Sequence, residues 1–329
     1  MAIQIQNTNY SGEVLETILT KAATGNELVE RGLIRMEPGV HTKFSIPRLS
    51  VGQTLQKRKE TPEGSDAKGN ATYSERVIEP KDFMAFVTFN PRSFEQVWRP
   101  FQPKGNLVFS QLPPEAQNKL LAEINKTVDY EVGHHLINGE YAATGDDKLF
   151  NGFVYRITND ADKIAVTSSE TTIVGKLKDV RKAIPVTMRN NPRLRILMSV
   201  GDADKYDEEL SAQDFKGTNW TDTNPQRFKG IQIESLAEWP DDFIVATLCG
   251  EDLGTNLWAA CNLVDDPDVI MIDRLTNTSE IYFLKILMKM DTQVAFGEEL
   301  VVLDARETNT ESAGEGGSES EGNGEGSGS

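Results

Sequence analysis

Cysteine, histidine and net positive charge are all scarce in this chain, and each scarcity excludes a kind of chemistry. Two cysteines among 329 residues, Cys249 and Cys261, cannot make a disulfide framework and lack the C-x-x-C spacing of a zinc site. Cysteine usage this low fits a reducing, cytoplasmic setting. Of three histidines, His134 and His135 are neighbours on a helical stretch, roughly 100° apart around its axis, so they cannot share a metal. His41 sits near a turn, and all three read as surface or packing residues. Basic residues number 34 against 51 acidic ones, giving a formal charge of −17 and a pI of about 4.7. That balance argues against a dedicated nucleic-acid reader, whose affinity rests on Lys and Arg facing phosphates. Long apolar runs are missing too. The most apolar late segment, "IYFLKILMKM", is short and broken by Lys285 and Lys289, which excludes a spanning helix. The start, "MAIQIQNTNYSGEV", has no apolar core or cleavage site, so no secretory signal is expected, and the N-x-S/T matches at Asn70, Asn125, Asn219 and Asn277 read as chance.

Catalytic constellations are equally absent. "GDADKYDEEL" offers the first carboxylates of a calcium loop at Asp202, Asp204 and Asp207, but it lacks the central Gly and has Gln213 at the twelfth position. Asp241-Asp242 and Asp265-Asp266-Asp268 could imitate a glycosidase pair, though adjacent acids at loop edges are usually just solvated. "GNGEGSGS" imitates a phosphate-binding glycine pattern with no strand before it or helix after it. No G-x-S-x-G and no Walker motif occurs. The cluster Lys57-Arg58-Lys59 is too small, in so acidic a chain, to make a nucleic-acid site. Neither a catalytic residue nor a metal or cofactor site is expected.

What is present is a sequence of well-marked elements. Val14, Leu15, Ile18, Leu19 and Ala22 fall on one helical face that Ser11 can cap, and Gly32 closes a second helical piece, "ELVERG". "LIRMEPGVHTKFSIPRL" reads as two strands about a Pro38-Gly39 turn. Then comes the charged excursion "QKRKETPEGSDAKGNATYSER". It reads as a hairpin with arms about Gln53–Lys59 and Ala71–Glu79, extending roughly 25–30 Å. A lone ribbon of this kind is marginal in water, so it must lie on another surface. Phe83, Phe86, Phe89, Phe94, Trp98, Phe101 and Phe109 follow, with Phe83 and Phe89 as core candidates. Pro113-Pro114 open a helix closed by Gly139. It has a ridge of Leu120, Ile124, Val128, Val132 and Leu136 widened by Leu121, and is roughly 40 Å long. "ETTIVGKLKDVRKAI" reads as a helix, "RLRILMSV", "GIQIESL" and "DDFIVATL" as strands. "IYFLKILMKM" is a half-buried strand with Tyr282, Leu284, Ile286, Met288 and Met290 inward, and "EELVVL" ends the ordered part. From Ala305 on, Gly, Ser and Glu dominate, which predicts a disordered, dispensable acidic tail.

Taken in order, "GEVLETILTKAATGNELVERGLIRMEPGVHTKFSIPRL", "LPPEAQNKLLAEINKTVDYEVGHHLINGE" followed by "KLFNGFVYRI", and "FKGIQIESLAEWPDDFIVATL" resemble the major capsid proteins of tailed bacteriophages. The similarity runs from about Tyr10 to Leu303 and rests on element order and spacing. It implies an α+β, Hong Kong 97-type fold, and points to a phage of Bacteroidetes-type hosts. The implied parts are an N-terminal arm with first strands (1–50), an extended β-hairpin loop (51–82) and a peripheral domain (83–174 and 276–304) with spine helix 113–139. An axial domain (175–275) and the acidic tail (305–329) complete it.

The implied function is that of a non-enzymatic coat protein, assembled in the host cytoplasm and residing in the virion. It would self-assemble through hexamers and pentamers into an icosahedral shell around double-stranded DNA, touching that DNA only loosely. A separate scaffolding protein is implied because the arm begins almost at Met1; a portal and cement proteins are further implied partners, with no membrane. The residues bet on for subunit contacts are Leu15 and Leu19 of the arm and Lys57, Arg58, Lys59, Tyr73 and Arg76 of the hairpin. An axis-facing loop is expected at Asp252–Asn256 or Asp265–Asp268. No motif carries over the Lys–Asn crosslink of some family members. Two alternatives stay open: a cargo-compartment shell of the encapsulin kind, and, from another class, a soluble hydrolase using the acidic pairs.

Overall fold

The computed structural model describes residues 8–9, 27–51, 54–69, 71–90, 114–211, 226–262, 270–276 and 281–306. The helical face of Leu15 and Leu19, the aromatics Phe94 to Phe109, Asp265–Asp268 and the tail from 307 lie outside them. The helices are α1 (Glu27–Glu30), α2 (Pro114–Asn138), α3 (Phe153–Thr158), α4 (Ile173–Ala183) and α5 (Val200–Ser211).

The first sheet is organised around β13 (Tyr282–Val294). Along one side it pairs antiparallel with β5 (Lys81–Phe89), in register from Phe89↔Tyr282 to Lys81↔Met290. Its other side is shared by β12 (Ile270–Arg274) and β11 (Leu257–Cys261). Parallel β2 (Arg35–Glu37) flanks β11, and β1 (Thr8–Asn9) flanks β12. Alternation along β13 as far as Met290 buries Tyr282, Leu284, Ile286, Met288 and Met290, as the sequence pattern predicts.

A second six-stranded sheet runs in the order β6-β14-β10-β7-β9-β8. Its strands are β6 (Ile164–Val166), β7 (Leu194–Ser199), β8 (Arg227–Phe228), β9 (Ile231–Leu236), β10 (Phe243–Leu248) and β14 (Val301–Asp304). Every residue of β10 is buried because both faces are covered. Phe243 and Val245 point into the large core shared with the first sheet, α2 and α3. Ile244, Ala246 and Leu248 point into the core under α4 and α5. Two side chains fix the start of α4: Thr172 caps it by accepting the Gly175 N–H, and Glu209 of α5 docks it onto that helix by accepting those of Ile173 and Val174 at 2.8 and 2.9 Å. A carboxylate at a helix start suits the positive end of its dipole.

Sheet membership crosses the expected segment boundaries. β6 and β14, placed by sequence in the peripheral segments, belong to the second sheet; β11 and β12, placed in the axial segment, belong to the first. The chain crosses between the sheets more than once, and fully apolar runs such as "LWAAC" do not say which sheet they join. Asp252–Asn256 is one of these crossings. Its second half is buried, with Asn256 donating to Thr247 Oγ1 at 2.9 Å and to the Phe296 carbonyl at 2.8 Å, so it is not a simple projecting tip.

The long helix α2 matches its expected span to within a residue at each end. Val128, Val132 and Leu136 are buried against the shared core; Leu120, Leu121 and Ile124 lie outside the described side chains. Its exit is fixed by two glycines in contact, the Gly152 N–H donating to the Gly139 carbonyl at 2.8 Å. A Cβ on Gly139 would meet the His135 carbonyl oxygen at 2.4 Å, and one on Gly152 would meet three backbone atoms at 2.6–2.7 Å. This crossing seats Phe150 and Phe153, both fully buried, beneath β5, where Phe83 and Phe150 rings lie 5.4 Å apart. Each such side chain contributes about 1.5–3 kcal/mol by burial.

Candidate assembly interface

The hairpin is a two-stranded sheet separate from the other two, made of β3 (Phe44–Val51) and β4 (Ala71–Ile78). Register runs from Phe44↔Ile78 to Val51↔Ala71. The first arm therefore differs from expectation: it is Phe44–Val51, while the described part of the expected arm Gln53–Lys59, residues 54–59, has no strand. "KFSIPRL", expected as the second of two strands about the Pro38-Gly39 turn, is this arm; its Pro47 lies opposite Glu75, and in a two-stranded ribbon a missing N–H is tolerated on the outer edge. The strands reach about 26 Å at about 3.3 Å per residue.

Beyond them, 54–69 forms a long tip whose residues are exposed apart from half-buried Asp66. Among the described residues, the contacts that order the tip come from the tip itself. A 3-10 turn at Gly64–Asp66, the pair Lys59–Asp66 and a Glu63 N–H donating to Asp66 at 3.2 Å order it. Lys59, through its hydrogen bond, holds the Asp66 carboxyl below its usual range. Lys57 and Arg58 make no ion pair among the described residues. Leu55 is 86% exposed and Tyr73 65% exposed, a large apolar area to leave in water on a ribbon that is itself marginal.

The root is built differently. Ile46 and Ile78 are buried with Val40, Trp258, Ala260 and Ala295 in a small core, and Phe44 stacks on Trp258 at 6.0 Å. Arg76, expected to reach a neighbouring subunit, is taken up inside its own chain. Its guanidinium binds Asp160, Asp162 (3.0 Å) and the Val294 carbonyl (3.1 Å). The Asp160 side chain is 2% exposed; burial is the largest single influence and would raise its carboxyl, but the Arg76 hydrogen bond, the Asp162 N–H and the charges of Arg76 and Arg48 together hold it below the usual range. Next to it, Arg156 grips Asp291 at 3.0 and 2.8 Å, and Asp291 also accepts the Glu79 N–H at 3.3 Å. Here burial prevails and the Asp291 carboxyl is raised despite Arg156. Sequence reasoning missed Asp160, Asp162, Arg156 and Asp291. They lie far from Arg76 in the chain, and no spacing rule links them.

A second exposed feature is the outer face of the first sheet. Met84, Phe86, Met271 and Leu287 are exposed there, with Phe86 stacked on Phe283 at 5.7 Å. It follows from the alternation along β5, which turns Phe83 and Phe89 inward and Met84 and Phe86 outward; the sequence pattern marks the two core candidates and not this face.

Where it lies among the described residues, the candidate chemistry dissolves into packing. Asp202 is fully buried, accepting the Asp242 N–H at 2.7 Å and pairing with Lys205 at 3.0 Å; Ser199 donates to Asp241, and Lys176 pairs with Asp242 at 2.5 Å. These acids tie α4 and α5 to the second sheet. His134 contacts Glu238 at 2.9 Å, and His135 packs near Phe150, its pKa lowered first by burial and then by His134. Cys249 and Cys261 are buried, and burial pushes the Cys249 thiol up to about 12. Among the described residues, no three His, Cys, Asp or Glu side chains are grouped to hold a metal, and no helix is long and apolar enough to cross a membrane.

No protein-family model matches the sequence, and no curated protein is similar to it. Solved structures are. The procapsid of satellite phage P4 including its size-determination protein matches with a TM-score of 0.55 at 15% identity, over 87% of this chain and 97% of that one. The capsid of cyanophage A-1(L) matches at 0.52 and 10% identity, over 92% and 96%. The capsid of an empty GTA particle matches at 0.50 and 14% identity, over 83% and 94%. The chain has the mixed α+β, Hong Kong 97-type fold of these capsid structures.

Proposed function

We propose that this chain is the major capsid protein of a tailed phage, infecting hosts of the Bacteroidetes type as the sequence resemblance implies. It self-assembles through hexamers and pentamers into an icosahedral shell around double-stranded DNA, with scaffolding, portal and cement supplied by other proteins. One observation carries the reading. The ribbon β3–β4 is locked at its root by Arg76–Asp160 and the Ile46–Ile78 core, yet it holds out Leu55, Tyr73 and a charged tip that the described residues of its own chain leave uncovered. A protein that stays monomeric has no use for a rigidly aimed, unsupported arm. A neighbouring copy supplies the missing surface, and the exposed apolar face of β5 and β13 is a further contact area of the same kind.

The net charge of −17 fits a wall that must not grip packed DNA. Electron microscopy of the expressed protein tests the reading. Closed particles tens of nanometres wide are expected, and a small soluble oligomer under all assembly conditions would refute it. Closed shells that fill with protein and never with DNA would favour a cargo compartment instead.

A further inference from the structure

In this acidic chain one cleft is basic. Lys178, Arg181 and Lys182 share a face of α4 at i, i+3 and i+4 spacing. With Arg189 from the following loop and Lys229 from the β8–β9 turn they line a cleft of about 380 Å³. Asp179 pairs with Lys182 at 2.7 Å. Lys178, Arg181, Arg189 and Lys229 make no ion pair among the described residues. Arg189 is pinned in place by donating to the carbonyls of Ile184 and Lys182, both at 2.9 Å. Arg181 leaves its Nη1 buried and without a hydrogen-bond partner, and a buried charged donor left unmade is costly. Lys229 is presented from a left-handed backbone position, φ 47°, beside Gly230 at φ 89°. A two-residue hairpin of this geometry prefers Asn-Gly, so the lysine stands where local conformation would choose otherwise. The cleft is built to take an anion.

We propose that its occupant is the acidic segment 307–329 of this same protein, whose glutamates dock against these five cations. That segment holds six glutamates and no lysine or arginine. Its composition is the electrostatic complement of the cleft, and a glutamate carboxylate supplies the acceptor that Arg181 lacks. Reach permits it. Register places Asp304 at the Phe243–Ser199–Leu236 end of the second sheet and the cleft at the opposite end. One strand length and three strand spacings separate them, roughly 25 Å. A Gly/Ser-rich segment of 23 residues has a root-mean-square span of about 26 Å. Tethering also gives it an effective concentration on the order of millimolar, ahead of the obvious rival, nucleic-acid phosphate. The consequence is a plug: the tail neutralises a cleft that would otherwise bind polyanions.

Carbodiimide coupling of the full-length chain tests this without requiring assembly, so its failure and the failure of the shell reading are separate outcomes. Glutamates of 307–329 should couple to Lys178, Lys182 and Lys229 in marked preference to exposed Lys57 and Lys126. The preference should vanish at about 0.5 M salt, where screening shortens to a few ångström. Even coupling across all exposed lysines would overturn the proposal. In a second arm, the full chain with all six tail glutamates changed to glutamine should bind a short DNA duplex roughly tenfold more tightly at low salt. Adding Arg181→Gln and Lys182→Gln should reverse that gain. DNA affinity unchanged by neutralising the tail would mean that phosphate enters the cleft regardless, and would equally refute the plug.

Discussion

Arg76 shows how one residue can decide what a long arm does. Its contacts with Asp160 and Asp162 hold β4 against β13 and α3, so the ribbon leaves the body in a fixed direction. Asp160→Asn or Arg76→Gln should loosen that root by about 2–3 kcal/mol, since removing one partner of a buried charged pair strands the other. Hydrogen exchange is the readout: amides of 71–78 should lose protection while those of β10 keep theirs. The pH dependence has a definite sign. The folded protein holds Asp160 below the ordinary carboxylate value, so the unfolded chain binds more protons across that window. The root is therefore at full strength above the ordinary carboxylate pKa and weakens as pH falls through the depressed value. Asp291 acts oppositely, because its raised carboxyl takes a proton more readily when folded. An exchange profile of 71–78 that weakened already near neutral pH would argue against Asp160 as the lock. At Lys229 the cost is conformational. Lys229→Gly should raise stability by about 1 kcal/mol, read as a higher melting temperature, by relieving a left-handed non-glycine residue. It should at the same time remove one cation from the cleft.

At the scale of elements, the ones with a strong period or a continuous apolar run were legible: α2, α4, β7, β9, β10 and the inward face of β13. Binary pattern and caps suffice there because each is a local signal. Strand partnership was not legible. β3 reads as one of two strands about the Pro38-Gly39 turn because the long turn-rich tip separates it from β4 in the chain, and no residue in "LWAAC" announces which sheet it joins. Of the candidate interface residues, Lys57, Arg58 and Tyr73 are exposed on the ribbon and its tip. Arg76 is not, because its partners come from α3's exit and β13, brought together by the tertiary fold. Two element-level tests follow. Gly152→Ala forces a Cβ onto three backbone atoms and should cost about 1–3 kcal/mol or more, visible as a lowered denaturation midpoint; no change would mean that the α2 exit is looser than its contacts indicate. Replacing 61–70 by a short Gly-Ser turn should leave the monomer's melting nearly unchanged, because the tip touches no core, while shell yield falls. If the shortened chain instead melts early and still forms robust shells, the arm serves its own domain.

For the whole molecule, charge sets the conditions of assembly. Subunits carrying −17 repel one another, while a ribbon tip bearing Lys57 and Arg58 is attracted to an acidic neighbour. The two effects differ in range. Repulsion between whole subunits acts over tens of ångström and is screened first, since the Debye length is about 10 Å at 0.1 M salt. Contact pairs at the tip act over a few ångström and yield only at higher salt, each being worth roughly 0–1 kcal/mol but repeated at every subunit of a shell. Yield should therefore rise from very low ionic strength to a maximum and fall again in high salt. The variant Lys57→Gln/Arg58→Gln should keep the rising limb and lose most of the falling one, because its remaining contacts are apolar. Light scattering against salt concentration, with microscopy of the particles, measures both limbs. A yield that climbs steadily to the highest salt in the unaltered protein would show that apolar surfaces such as Tyr73 and the β5–β13 face hold the shell alone, with the tip charges contributing nothing to it.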